Sequence, residues 1–259
     1  MESKGEVFMI PKIIHYCWYG KGKMDEKALM CLKSWKKYCP NYKFICWNED
    51  NTNFEMNKYL KEAYDAKRYA FVTDYMRLYV LNKFGGFYMD TDVELLKPLD
   101  FFCKYNAFTG IQEENVCVTG IIGAEAGNEW VDYLLHYYDN IHFKRADGSY
   151  NMIPNTVFIT EYTKKRYGWK FSNNTFDVPN ILSIFPFEIL CCKDYETGYI
   201  FTTKNSVAIH HFNGSWVDKK NGKYNLNTII KLFLIRILGY QRYRNILYSM
   251  RKNKYGENI

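Results

Sequence analysis

Nowhere do the 259 residues contain an apolar run of the roughly 18 needed to cross a bilayer as a helix. The first residues, Met1 to Val7, also lack the apolar region of an export signal. Both absences predict a chain that stays in the cytoplasm. The eight cysteines (17, 31, 39, 46, 103, 117, 191 and 192) include no Cys-x-x-Cys pair and no histidine at zinc-finger spacing. They read as reduced thiols used as small hydrophobes. Gly20 and Gly22 lie among lysines, but no Lys-Ser or Lys-Thr pair follows at P-loop spacing. The net charge is +7, and much of the excess falls after Asp218. The rest is nearly balanced, which argues against a nucleic-acid enzyme and for a local basic tail. What the chain does have is apolar and aromatic mass. With 47% hydrophobic and 19% aromatic residues it can bury one large core, so disordered and fibrous classes are excluded.

One stretch, Tyr69 to Glu94, organises the remainder. From Ala70 to Leu81 nearly every position is apolar, the pattern of a helix buried on all sides, and only Thr73, Asp74 and Arg77 interrupt it. Their spacing of three and four puts them on one face. A buried carboxylate and guanidinium need polar company, because desolvating each charge costs several kcal/mol. Gly85 is placed for a left-handed helix C-cap, and Phe87 to Met89 read as a short strand. That strand ends in Asp90-Thr91-Asp92. Two carboxylates at the C-terminal end of a buried strand sit where open α/β sheets hold ligands, and a divalent cation is the obvious neutraliser.

The spaced string Thr-Asp-x-x-Arg-x-x-x-Leu-x-x-x-Gly-Gly-x-Tyr-x-Asp-x-Asp, from Thr73 to Asp92, resembles the DXD sugar-binding signature of glycosyltransferase family 32. That family includes bacterial capsular and lipopolysaccharide sugar transferases and the yeast initiating mannosyltransferases, and the glucosylating clostridial toxins share the pattern. Ile10 to Trp18 is similar to the family's opening strand, which makes Tyr16 and Trp18 candidates for the nucleotide base and ribose. Core packing is the alternative for each, and His15 reads as a core histidine. Val207 to Trp216 resembles the family's last strand and its His-x-x-Gly-Ser-Trp ending. On that resemblance His211 completes a metal shell with Asp90 and Asp92. His210 is its rival, since strand alternation sends the two to opposite faces. Ser215 and Trp216 would then close over the donor phosphates. The resemblance also carries Asp74 and Arg77 over as donor-sugar contacts, Asp90 to the metal or ribose, and Thr73 and Tyr88 to the pocket lining. Imidazole with two carboxylates suits Mn²⁺, with Mg²⁺ the alternative.

Elsewhere the pattern predicts a helix over 24–38, a strand over 42–47 in a parallel crossover, and a helix over 54–67. It also predicts two strands flanking a turn at 113–115, helices over 129–138 and 156–167, and an edge strand within 181–190. From Thr228 onward apolar residues alternate with Lys and Arg, a cationic helical tail that can lie on anionic lipid or dock on the body. The expected architecture is α/β: a GT-A type, Rossmann-like domain over 1–218 with a mostly parallel sheet, and a basic amphipathic tail over 219–259. The expected activity is metal-dependent retaining transfer from a nucleotide-diphosphate sugar, UDP-linked first, to a glycan or lipid-linked glycan, with no nucleic-acid partner. Two other classes are a non-catalytic sugar-nucleotide binding module and a haloacid-dehalogenase-type phosphohydrolase. The latter fits poorly with Glu94 after the second Asp.

Overall fold

The computed structural model describes residues 9–113, 116–172, 174–213 and 226–255. The chain opens with β1 (Ile13–Cys17), α1 (Glu26–Tyr38) and β2 (Lys43–Trp47). Asp25 caps α1 by accepting from the Ala28 N–H at 2.8 Å, and Cys39 closes it just before Pro40. The helix between the two strands carries the chain back to start β2 alongside β1, and β1 pairs in parallel with β2 from Ile13 opposite Lys43 to Cys17 opposite Trp47.

The predicted helix over 54–67 is two pieces. A 3-10 turn at Phe54–Met56 precedes α2 (Lys58–Asp65), because the Asn57 side chain accepts from the Leu60 N–H and starts a new helix there. Next come α3 (Tyr69–Phe84), β3 (Gly86–Met89) and β4 (Val93–Leu95). Gly85 does end α3, through its N–H to the Leu81 carbonyl at 2.9 Å, but at φ 63°, ψ −171° it is not a left-handed helical cap. The chain turns directly into β3. Gly86, at φ +105°, lets β3 approach β1 so closely that a Cβ there would lie 2.6 Å from the Ile13 carbonyl oxygen.

The predicted strand pair is β5 (Ala107–Glu113) with β6 (Val116–Ala124). Then follow α4 (Glu129–His136), α5 (Asn155–Tyr167), β7 (Phe176–Val178), β8 (Leu182–Phe185), the short α6 (Phe187–Leu190), β9 (Ala208–His210), α7 (Leu226–Leu238) and α8 (Tyr240–Tyr255).

The main sheet has the order β2-β1-β3-β6-β5-β8-β7. Five strands run one way and β6 and β7 run against them, so the sheet is mostly parallel, as the α/β reading requires. β8 is not an edge strand: β7 covers it, and Pro186 begins α6 instead of interrupting the strand. Side chains alternate across β3, with Tyr88 facing the core beneath α2 to α5 and Phe87 and Met89 facing the core beneath α1 and the C-terminal helices. The cysteines are all free thiols, seven buried and Cys46 half-buried, as small hydrophobes would be. β9 does not join the main sheet but pairs with β4 in a separate two-stranded sheet. The described part of the basic tail is two helices and not one, broken at Gly239 with φ +77°.

Candidate functional site

Asp74 and Arg77 are buried on the face of α3 that meets the end of β3, with Thr73 half-buried beside them. The polar company demanded by their burial comes from the protein itself. Arg77 Nη2 donates to Asp74 Oδ1 at 3.2 Å and to Asp90 Oδ1 at 3.3 Å, and Nη1 donates to the Thr119 carbonyl on β6. The guanidinium lies 4.8 Å from the centre of the Tyr88 ring, whose hydroxyl donates to Asp90 Oδ1 at 2.7 Å. Burial pushes the Asp74 carboxyl up to about 7, with Arg77 opposing and the Asp90 charge adding to the rise. Burial and then Asp90 hold the Tyr88 phenol well above its ordinary value, so it remains a donor.

The Asp-x-Asp turn is fixed from both sides. The Asp90 N–H continues the β3–β6 ladder to the Gly120 carbonyl at 2.8 Å, and the Val93 N–H returns to the Asp90 carbonyl at 3.0 Å. α1 grips the outgoing strand: Trp35 Nε1 donates to the Val93 carbonyl at 2.6 Å and Ser34 Oγ accepts from the Leu95 N–H at 2.9 Å. Pairing of β4 with β9 then sets Val93 opposite His210, which carries the imidazole to Asp92. His210 Nε2 is 3.3 Å from Asp92 Oδ1. Asp92 Oδ2 accepts the Asn213 N–H at 2.7 Å, and Asn213 Nδ2 reaches Asp25 at the start of α1 at 2.9 Å. Burial alone would raise Asp92, but the His210 charge and these hydrogen bonds outweigh it and hold the carboxyl below its usual range. Burial would likewise lower His210, and Asp92 reverses the sign.

One ligand atom each from Asp90, Asp92 and His210 lies within 4.8 Å of the others. The histidine in this cluster is therefore His210. His211, the residue matched by motif position, points the other way and its Nε2 sits 2.7 Å from Glu94 Oε2. His211 lies just past β9 with its N–H donating to the Asp92 carbonyl at 2.9 Å, and alternation puts its ring on the Glu94 side of the small sheet. His210, opposite Val93, faces the other side, where Asp92, still in the turn before β4, presents its carboxylate.

Tyr16 and Trp18 come from the end of β1, which runs beside β3 with His15 opposite Tyr88. They therefore lie at the same sheet edge as Asp90. Tyr16 is half-buried with its ring edge-on to Trp35 at 5.5 Å, and Trp18 is half-buried with Nε1 donating to the Gly22 carbonyl at 2.6 Å. His15 is a core histidine with both nitrogens used: Trp47 Nε1 donates to its Nδ1 at 3.1 Å and its Nε2–H donates to the Gly85 carbonyl at 2.9 Å. Burial pulls it down to about 4. Ser215 and Trp216 lie outside the described residues. Two contributors escaped the sequence reading. Asn213 ties Asp92 to α1, and nothing in its sequence neighbourhood signals this. Gly120 is the floor on which the His210 ring rests, and a lone glycine inside a strand is a signal for such close approach.

Residues 25–110 match the family described as glycosyltransferase sugar-binding region containing DXD motif. An uncharacterized glycosyltransferase of Acanthamoeba polyphaga mimivirus is 31% identical over 171 residues, covering 60% of this chain and 67% of the viral protein. The chain belongs to this glycosyltransferase family. Inositol phosphoceramide mannosyltransferase 3 of Schizosaccharomyces pombe is 26% identical over 157 residues, covering 56% of this chain. The chain spans only 43% of that relative's length. Among solved structures, a PaToxG glycosyltransferase superposes with a TM-score of 0.49 at 16% identity, over 61% of this chain and 70% of the other. The match over 25–110 runs from the α1 cap through Asp74, Arg77 and both aspartates, and stops short of His210.

Proposed function

We propose that this glycosyltransferase is metal-dependent and retaining, and that it moves a hexosyl or N-acetylhexosaminyl group from a nucleoside diphosphate sugar to a glycan or lipid-linked glycan. Capsular, lipopolysaccharide or exopolysaccharide synthesis is the natural setting for such an acceptor. The observation that carries the reading is the convergence of Asp90, Asp92 and His210 within 4.8 Å, next to a buried Arg77. The donor set fits a divalent cation. Two carboxylates and an imidazole are the oxygen and nitrogen ligands that Mn²⁺ accepts, and Mg²⁺ is the alternative. A cation held by Asp90, Asp92 and His210 would act as a Lewis acid on the diphosphate leaving group.

The protein's own residues supply the rest. Arg77, locked by Asp74, Asp90 and the Thr119 carbonyl, keeps a fixed positive charge beside the donor without having to reorganise. Asp74 accepts from donor-sugar hydroxyls, Thr73 lines the same pocket, and Tyr88 holds Asp90 in place. Tyr16 and Trp18 offer aromatic faces to the base and ribose. UDP is the first nucleotide to test. The name of the fission yeast relative favours a second reading, a mannosyl donor with a phosphoinositol lipid acceptor.

The test is release of nucleoside diphosphate from a panel of UDP- and GDP-sugars, with Mn²⁺, Mg²⁺ or chelator and no acceptor. Release from one donor that stops with chelator is the expected result, and it names the sugar. Silence across the panel, with no metal-dependent donor binding by calorimetry, replaces the proposal with a non-catalytic binding module.

A further inference from the structure

The helix pair α7–α8 departs from ordinary surface chemistry in two ways at once. Residues 226–255 contain seven Lys or Arg and no Asp or Glu, while the rest of the chain is balanced at 28 of each sign. The whole net charge of +7 therefore resides in these two helices. The same segment also exposes hydrocarbon. Ile229, Ile230, Phe233, Leu234 and Ile237 recur at the spacing of one helix face and all are exposed, Phe233 at 61% and Ile237 at 62%. On α8, Ile246 and Met250 stand one turn apart and are also exposed, one and two turns after Arg242.

The other side of the helix pair packs on the body of the protein. Ile235, Tyr240 and Tyr243 are buried in the core shared with Phe187 and Leu190. Tyr240 packs on Tyr199, Phe201 and Phe187 with ring centres 5.1 to 5.8 Å apart, and its hydroxyl meets Asp194 at 3.1 Å. Arg244 lies 5.0 Å over the Phe187 ring, and Lys231 pairs with Glu196. Docking thus fixes which face of α7 is turned outward, and that face is the apolar one, flanked by the exposed Arg236.

We propose that the outer face of α7, continued by Arg242, Ile246 and Met250 of α8, is an interfacial membrane-binding surface that seats the protein on an anionic lipid bilayer. An apolar stripe flanked by cations, with no acid in 30 residues, matches a layer that is hydrocarbon below and negatively charged above. Among the described residues no helix is long and apolar enough to cross a membrane, so the face is suited to lie in the interface plane. A second copy of the chain fits less well, because self-pairing would bring two helix pairs of the same charge together with no acid on either to offset it. This inference stands apart from the proposed donor and acceptor.

The experiment is co-sedimentation of the full chain with vesicles of phosphatidylcholine alone and of phosphatidylcholine mixed with phosphatidylglycerol, at low and high salt. The expected result is binding to the anionic vesicles that salt weakens, and little binding to the neutral ones. The double variant F233E/I237E should lose about tenfold or more in vesicle affinity while keeping the wild-type melting temperature. No sedimentation at low salt, or a folded variant that binds as the wild type does, overturns the proposal. So does a dimer by light scattering that dissociates in the variant, which would assign the face to a second copy.

Discussion

At the junction of α3 and β3 the molecule buries charge, and on the outer face of α7 it exposes hydrocarbon. Each region inverts the usual distribution, and they differ in how the anomaly is resolved. Asp74, Arg77, Tyr88 and Asp90 are joined in one hydrogen-bonded network that leaves only Arg77 Nε of their buried side-chain atoms without a partner. Desolvating the ions still costs several kcal/mol each, and apolar side chains of similar volume would often be neutral or more stabilising. The network is retained for what it presents at the sheet edge. The stripe on α7 has no such internal resolution among the described residues. Internal satisfaction marks a preorganised pocket, and a one-sided, unsatisfied face marks a surface awaiting contact.

The strongest way to break this comparison is to remove a carboxylate from the pocket. Asp92→Ala should reduce metal-dependent turnover by about a thousandfold or more, since the loss falls on charge stabilisation at the leaving group. The fold should survive, because Asp92 sits in a turn also held by the Trp35 and Ser34 contacts to β4. His210→Ala should behave alike, whereas His211→Ala should keep most turnover because its ring is occupied by Glu94. Undiminished turnover in the Asp92 variant, measured by diphosphate release, would end the mechanism.

A smaller effect separates stability from chemistry. Arg77→Met leaves Asp74 and Asp90 without their shared cation, at a cost of about 3–5 kcal/mol. The sign of its pH dependence follows from Asp74. In the folded wild type this carboxyl is pushed up to about 7 from an ordinary 3.8, so the native state binds the extra proton between those values. Its contribution to stability is present below 3.8 and is lost as pH rises through about 7. Without Arg77 the carboxyl rises further, so the variant should lose most above about pH 7 and less near pH 5, where Asp74 protonates. Urea midpoints at the two pH values check this. Equal losses at both would mean that Asp74 is not the group left uncompensated.

The pocket was largely legible because its anomalies are local in sequence. An all-round apolar helix interrupted only by Thr73, Asp74 and Arg77, then Gly85-Gly86 and a strand ending in two aspartates, states its chemistry within 20 residues. The β1-α1-β2 crossover and the β5–β6 pair were legible for the same reason. What could not be read depends on pairings distant in sequence. Alternation says that His210 and His211 face opposite ways, but only the register of β9 against β4, more than a hundred residues earlier, decides which one reaches Asp92. The interior position of β8 depends on a third strand, β7, whose weak pattern gave no warning. The break at Gly239 was visible as a glycine in a helical run, yet the direction in which each half turns its apolar side is set by where Tyr240 and Ile235 dock.

The finest distinction concerns Gly120, which offers no side chain to a donor or a cation and instead positions one of the groups that would hold the cation. A Cβ added there would come within 2.8 Å of His210 Cε1 and 2.9 Å of Nδ1. The ring has little room to retreat, since Phe212 packs 4.1 Å away and the His210 N–H is held by the Cys191 carbonyl at 2.9 Å. Gly120→Ala should therefore shift the imidazole by a few tenths of an ångström and leave the rest of the sheet in place. Replacing glycine within a strand recovers about 0.5–1 kcal/mol of backbone entropy, so the melting temperature should change little. Turnover at limiting Mn²⁺ should drop by about tenfold, a fraction of the hundredfold that a full 1 Å misplacement can cost. Raising the Mn²⁺ concentration should restore much of it, because what is weakened is one ligand's reach to the cation. A variant with wild-type turnover at limiting metal would show that His210 can move without consequence, and the imidazole would leave the set of ligands while both aspartates stayed.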